Sequence, residues 1–328
     1  DIEPKNKDGK NTYGITLWKD WDNYSMFLGT EIGPTLGIDC GDQVAQLPFL
    51  QVDFTIGKTS NTLDSDSLYI QALKFYYKAN QMGLVDPDSL TQTYDTAKAK
   101  LVEGRVFFSW WSWFNDAYNT TDNTNAESPT GFVPILPTSS KMLISGENAL
   151  GNPIPVAIGS ATKNLDACLS YVDFMYSIDG VQEMYNGEEN VTWKTGSDGK
   201  PVLTEEAWKY VQDLSLELPE GGKWGDGTRV LGFNGISLAF INPKTQEPIN
   251  YQLWESTKKH NIANQTKLQK DWTSVTGYQY TIDYVKGEEL YTEMPLAKTL
   301  IKPMTDEISS KAARIGDIVK ANSWKMIF

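Results

Sequence analysis

The residues with the most chemistry to offer lie in Phe107-Phe-Ser-Trp-Trp-Ser-Trp-Phe-Asn115. Flat aromatic faces suit the apolar C–H faces of pyranose rings, and neighbouring Asn and Asp side chains can bond hydroxyls at the rim. Successive residues of an extended chain point to opposite faces, so Trp110 and Trp111 cannot share one, whereas Trp111 and Trp113 can. Part of the run is therefore core, and the Trp111–Trp113 pair either lines a pocket or packs with the rest. A second set is Trp18-Lys-Asp-Trp-Asp-Asn-Tyr24. Asp20, Trp21 and Tyr24 there join planar rings to a carboxylate acceptor; the alternative is a solvated loop anchored by one Trp. Trp193 follows Gly187, where a loop can border a cleft or pack inward.

The rest of the inventory excludes more than it offers. His260 is the sole histidine, which removes most His-dependent catalysis and most zinc sites. It lies in Lys258-Lys-His-Asn, a polar stretch, and reads as a surface residue. There is no Gly-rich phosphate loop, no GxSxG elbow and no CxxC pair. Asn6-Lys-Asp-Gly9 lacks the alternating oxygen ligands calcium needs, because lysines stand at Lys5 and Lys7 and no Glu closes it. Acidic pairs such as Glu188-Glu189 and Glu205-Glu206 read as solvated helix ends and turns. Nothing fixes two carboxylates at the spacing glycoside hydrolysis requires. These residues predict no catalytic, metal or cofactor site, and the chain reads as a non-enzyme.

Composition narrows the partners. The 328 residues carry 29 Lys+Arg against 42 Asp+Glu, a net charge of −13. Such a surface repels phosphate backbones, which argues against nucleic acid, and it repels anionic lipid. With 40% hydrophobic and 12% aromatic residues the chain folds, and its length predicts two domains. Cys40 and Cys168 are too few for a disulfide framework; they form one bridge or remain two thiols. The helical pattern around Cys168 favours a packed thiol. No apolar stretch reaches the roughly 20 residues that cross a bilayer.

The elements that must position these residues can be read in outline. Thr12–Trp18 is predicted as a strand, and Ser67–Met82 as a helix capped within Asp64-Ser-Asp, with Ile70, Leu73 and Tyr77 inward and Gly83 ending it. A helix through Tyr94–Val102 stops at Gly104, and Arg105–Trp110 follows as a short buried strand. Asn119–Thr130 reads as an exposed loop, then Gly131–Pro137 and Pro153–Gly159 as strands. Leu165–Ser177 is a helix with Leu169, Val172 and Met175 or Tyr176 inward; Thr204 opens another. Thr305 caps a helix with Ile308, Ala312, Ile315 and Val319 on one face. Short strands separated by helices predict an α/β fold.

Three stretches resemble one family, the family 1 extracellular solute-binding proteins of ABC importers, and more closely its Gram-positive lipoprotein members. They are Tyr94-Asp-Thr-Ala-Lys-Ala-Lys-Leu-Val-Glu-Gly-Arg-Val-Phe-Phe108, Val156–Gly180 with its Tyr-Val-Asp-Phe-Met-Tyr-Ser-Ile-Asp-Gly end, and Gly199-Lys-Pro-Val-Leu-Thr-Glu-Glu206 with the closing Ser323-Trp-Lys-Met-Ile-Phe328. The resemblance implies a two-lobe, type II periplasmic-binding-protein-like fold that closes over its ligand. It implies a second lobe over 1–128 and 205–328 and a partial first lobe over 129–204, the chain being an internal fragment. By position, Trp111 or Trp113 matches the family's stacking Trp, and Trp18, Asp20, Trp21 and Tyr24 fall where the second lobe's first strand meets the cleft. The implied function is capture of a carbohydrate, an oligosaccharide in particular, for ABC permease subunits. The implied location is the outer face of the cell membrane, reached through a lipid anchor absent from this chain. A carbohydrate-active hydrolase with paired carboxylates and a surface adhesion module are the alternatives.

Overall fold

The structure, a computed structural model, describes residues 4–40, 48–145, 156–212, 216–219, 221–224, 236–294 and 304–328. The chain is mixed α/β with small sheets. It divides into two compact units: Asp1–Glu147 with Thr266–Phe328, and Asn148–Gln265.

The first unit opens with β1 (Tyr13–Ile15), shorter than the expected strand, then the one-turn helices α1 (Phe27–Thr30) and α2 (Ile32–Thr35). β2 (Ile38–Asp39), β3 (Leu50–Asp53) and β4 (Lys58–Asn61) form an antiparallel sheet. In α3 (Leu68–Gln81) the cap is Ser67, whose side chain accepts the Ile70 N–H, and Gly83 ends the helix at φ 71°. The buried face is Tyr69, Leu73 and Tyr76; Tyr77, expected inward, is exposed. The shift has a polar cause. Tyr69 Oη meets Ser323 Oγ at 2.7 Å, and the Tyr76 hydroxyl donates to the Leu28 carbonyl at 2.9 Å, so both phenols are satisfied inside.

α4 (Tyr94–Val102) is capped by Thr93 and followed by Gly104 at φ 69°. β5 (Val106–Phe108) pairs parallel with β1, Tyr13 opposite Val106 and Ile15 opposite Phe108. It is not the buried strand the sequence predicts: Val106 is buried, but Phe107 and Phe108 are exposed. β5 stands next to β1 alone, so its other edge is unpaired among the described residues. α5 (Ser112–Asn115) and α6 (Thr121–Thr124) follow, the latter within the stretch expected as loop. Residues 131–137 form no strand, consistent with the missing donors of Pro134 and Pro137. β6 (Met142–Ser145) ends this segment.

In the second unit, part of the strand expected over 153–159 lies outside the described residues, and 156–159 is not strand. α7 (Leu165–Tyr176) buries Met175 alone, while Leu169 and Tyr176 are exposed. α8 (Ile178–Asn186) leads to the antiparallel pair β7 (Trp193–Thr195) and β8 (Pro201–Leu203), then α9 (Glu205–Gln212) and α10 (Glu255–Ala263). Thr204 Oγ1 accepts the Ala207 N–H at 3.1 Å and so opens α9. Trp193, Leu203, Ala207, Tyr251 and Trp254 share one core. That core draws on residues on both sides of Thr204.

The chain returns to the first unit with α11 (Lys267–Thr276), α12 (Thr281–Gly287), β9 (Tyr291–Met294), parallel to β6, and α13 (Asp306–Ile327). Thr305 caps α13, which packs on α3. Its buried line is Ala312, Gly316, Ser323, Trp324 and Ile327; Ile308 and Ile315 are exposed. Gly316 permits the approach: a Cβ there would stand 3.0 Å from the Tyr24 Cα. The unit's core gathers Leu17, Trp18, Met26, Leu73, Leu101, Phe114 and Ile327.

Candidate functional site

Two segments carry the site, the turn after β1 and the stretch from Trp110 into α5. Trp111 precedes α5 in extended conformation, so the chain bends between it and Trp113. The bend brings the two rings into a stack, centroids 5.5 Å apart and planes at 26°. Trp113 also stacks on Trp21 at 5.8 Å, and Trp21 on Tyr94 at 4.8 Å, both at 29°. Phe27 closes the set against Trp111 at 5.4 Å. These rings form one platform, with Trp113 48% and Trp21 37% exposed. Exposed aromatic area of this kind on one surface is what a binding face presents.

Polar groups fix the platform. Asp20 Oδ2 accepts the Tyr94 N–H at 2.8 Å, which ties the turn to the start of α4. The Trp111 Nε1–H donates to Glu31 Oε2 at 2.9 Å, and the Trp110 Nε1–H to the Tyr76 hydroxyl at 2.8 Å. Trp110 and Trp111 take different partners, but β5 ends at Phe108 and Trp113 lies in α5, so strand alternation does not set their arrangement. Asp22 accepts the Phe27 N–H at 2.8 Å and the Trp324 Nε1–H at 2.7 Å, which anchors the turn to α13. Burial pushes the Asp22 carboxyl above its usual range, against the pull of those hydrogen bonds and of Lys320 and Lys19.

Two of the expected site residues are core instead. Trp18 is 2% exposed, packed beneath Trp21, Trp111 and Phe114, and its Nε1–H has no hydrogen-bond partner among the described residues. It supports the platform rather than presenting a face. Trp193 is buried in the second unit, edge-on to Trp254, its Nε1–H donating to the Gly187 carbonyl at 2.9 Å. Tyr24 is half-buried, its backbone against Gly316. Trp111, Trp113, Trp21 and Asp20 meet at one place. Sequence reasoning missed Tyr94, Phe27 and Glu31; the signal was that Tyr94 opens a helix.

Other reactive groups point elsewhere. His260 is half-buried and lies flat on Trp208, centroids 3.6 Å apart, and burial lowers its basicity; it is not a plain surface residue. Cys40 and Cys168 are both free, and burial with neighbouring Asp39 pushes the Cys40 thiol up to about 12. Among the described residues no cluster of three or more His, Cys, Asp or Glu could hold a metal ion. No described helix is long and apolar enough to cross a membrane. The comparisons add no kinship: no protein-family model matches the chain, and no curated protein matches it.

Proposed function

We propose that this chain binds a carbohydrate, an oligosaccharide in particular, by stacking sugar rings on Trp21, Trp113 and Trp111. The observation that carries this reading is the exposed stack of Trp113 on Trp21 and Trp111 beside the Asp20 and Glu31 carboxylates. Indole faces take the apolar side of a pyranose, and carboxylate oxygens at the rim accept its hydroxyls. The role in which it does so is substrate capture for the permease of an ABC importer, by a two-lobe type II binding protein held at the outer membrane face through a lipid anchor. No bond is made or broken.

The test is a titration of an oligosaccharide panel followed by tryptophan fluorescence, in the wild type and in Trp113→Ala. Saturable binding to one sugar class, weakened in the variant, supports the reading. Binding unchanged by Trp113→Ala overturns the site. Steady release of reducing ends from any member of the panel overturns the non-catalytic role.

A further inference from the structure

Residues Lys19 to Asp22 form a turn, the Asp22 N–H donating to the Lys19 carbonyl at 3.0 Å. Such a turn keeps its end Cα atoms within about 7 Å. Its central residues, Asp20 and Trp21, belong to the aromatic platform. Its ends, Lys19 and Asp22, line a groove of about 730 Å³ whose other wall is the last part of α13, with Asp317, Lys320, Trp324 and Lys325. Platform and groove thus share a single turn.

The groove differs in charge from the molecule around it. Three lysines face two aspartates there, in a chain of net charge −13. Neither aspartate is available to neutralise all three. Asp22 is engaged by the Phe27 and Trp324 N–H groups and also attracts Lys19 and Lys320, and Asp317 pairs with Lys320 at 3.2 Å. Lys19 and Lys325 form no salt bridge among the described residues. Lys19 stands 5.7 Å from the centre of the Trp324 ring, which leaves its ammonium over an aromatic face beside the groove. Lys325 lies on α13, and Lys19 stands on the opposite wall.

We propose that this groove takes an anionic group, a carboxylate or a sulfate, on the same saccharide whose ring stacks on Trp21 and Trp113. The ligand class is then an acidic oligosaccharide, an inference that rests on the carbohydrate reading above. Lys19 and Lys325 supply the ammonium groups, Lys320 being held by Asp317, and the turn sets the spacing between sugar ring and charge. An acidic protein gains discrimination from such a patch, because elsewhere its field repels the same ligand.

The experiment titrates neutral oligosaccharides and their uronate and sulfated counterparts, by tryptophan fluorescence, at low and high salt. Wild type is compared with the double variant Lys19→Gln, Lys325→Gln and with Trp113→Ala, circular dichroism melts confirming that each is folded. The expected result is a preference of about tenfold for one anionic series over its neutral counterpart. That preference falls towards parity in the double variant and at high salt, and the series preferred separates carboxylate from sulfate. Trp113→Ala weakens both anionic and neutral ligands. A neutral sugar that binds as tightly as both anionic counterparts overturns this inference and leaves the carbohydrate reading standing. Absence of binding to every saccharide overturns both.

Discussion

Trp21 and Tyr94 stack with ring centroids 4.8 Å apart, while Asp20, beside the first, accepts the backbone N–H of the second at 2.8 Å. Ring and backbone are thus fixed by the same pair of neighbours, so the exposed part of Trp21 is held before any ligand arrives. A surface that needs little ordering on binding loses little of its interaction energy to entropy.

Trp113 and Trp18 belong to the same aromatic assembly but carry opposite burdens. Trp113→Ala removes a half-exposed ring and is expected to change stability by less than about 1 kcal/mol while weakening saccharide binding about tenfold. Trp18→Ala empties a site that is 2% exposed and costs about 3–5 kcal/mol. Urea unfolding beside fluorescence titration separates the two; equal destabilisation would refute the division of roles.

Lys100 is 6% exposed and bridges Asp86, fully buried, and Asp88 at 2.6 and 2.7 Å. Thr16 and Gln92 also donate to Asp86, so the carboxylate sits in a network joining β1 to α4. Lys100→Met leaves that carboxylate without its cation, and a loss of about 3–5 kcal/mol is expected. Chemical denaturation reads it, and adding Asp86→Asn to the variant should restore part of the loss.

Two carboxyls give opposite pH signatures. Burial raises the Asp22 carboxyl above its unfolded value, so its contribution is fully present below that value and is lost as pH rises through the folded one. The hydrogen bond and charge of Lys100 hold Asp88 low, so its contribution is present above the unfolded value and lost as pH falls through the folded one. Urea midpoints between about pH 2 and about pH 7 should therefore show the gap between wild type and Asp22→Ala shrinking as pH rises. The gap between wild type and Asp88→Ala should shrink as pH falls. The same slope in both comparisons would contradict the assignment.

The two thiols should differ in reactivity. Cys40 is 2% exposed with its thiol pushed up to about 12, whereas Cys168 is half-buried near Thr162. Iodoacetamide on the native protein, read by peptide mass spectrometry, is expected to modify Cys168 alone, and both cysteines after unfolding.

Local signals were legible where the backbone alone decides. Thr305 caps its helix, and Gly104 ends the helix that Tyr94 begins, as residue types at those spacings require. Faces were harder to read, because partners distant in sequence choose them. Tyr76 displaces Tyr77 from the inner face of α3 through the Leu28 carbonyl, and Gly316 displaces Ile315 on α13 because Tyr24 comes so close. The sequence picked out Trp18 and Trp21 alike; only the cover of Trp111 and Phe114 makes one core and leaves the other as surface.

The bond from Trp324 to Asp22 spans 302 positions, and Tyr69 meets Ser323 across 254. A ribosome that has made every ring of the platform has still to make the helix that pins the turn beneath it. The second unit, contained between the two segments of the first, emerges complete while the first still waits for its last piece. During synthesis the turn under the aromatic surface therefore exists for a time without its bond to the last helix.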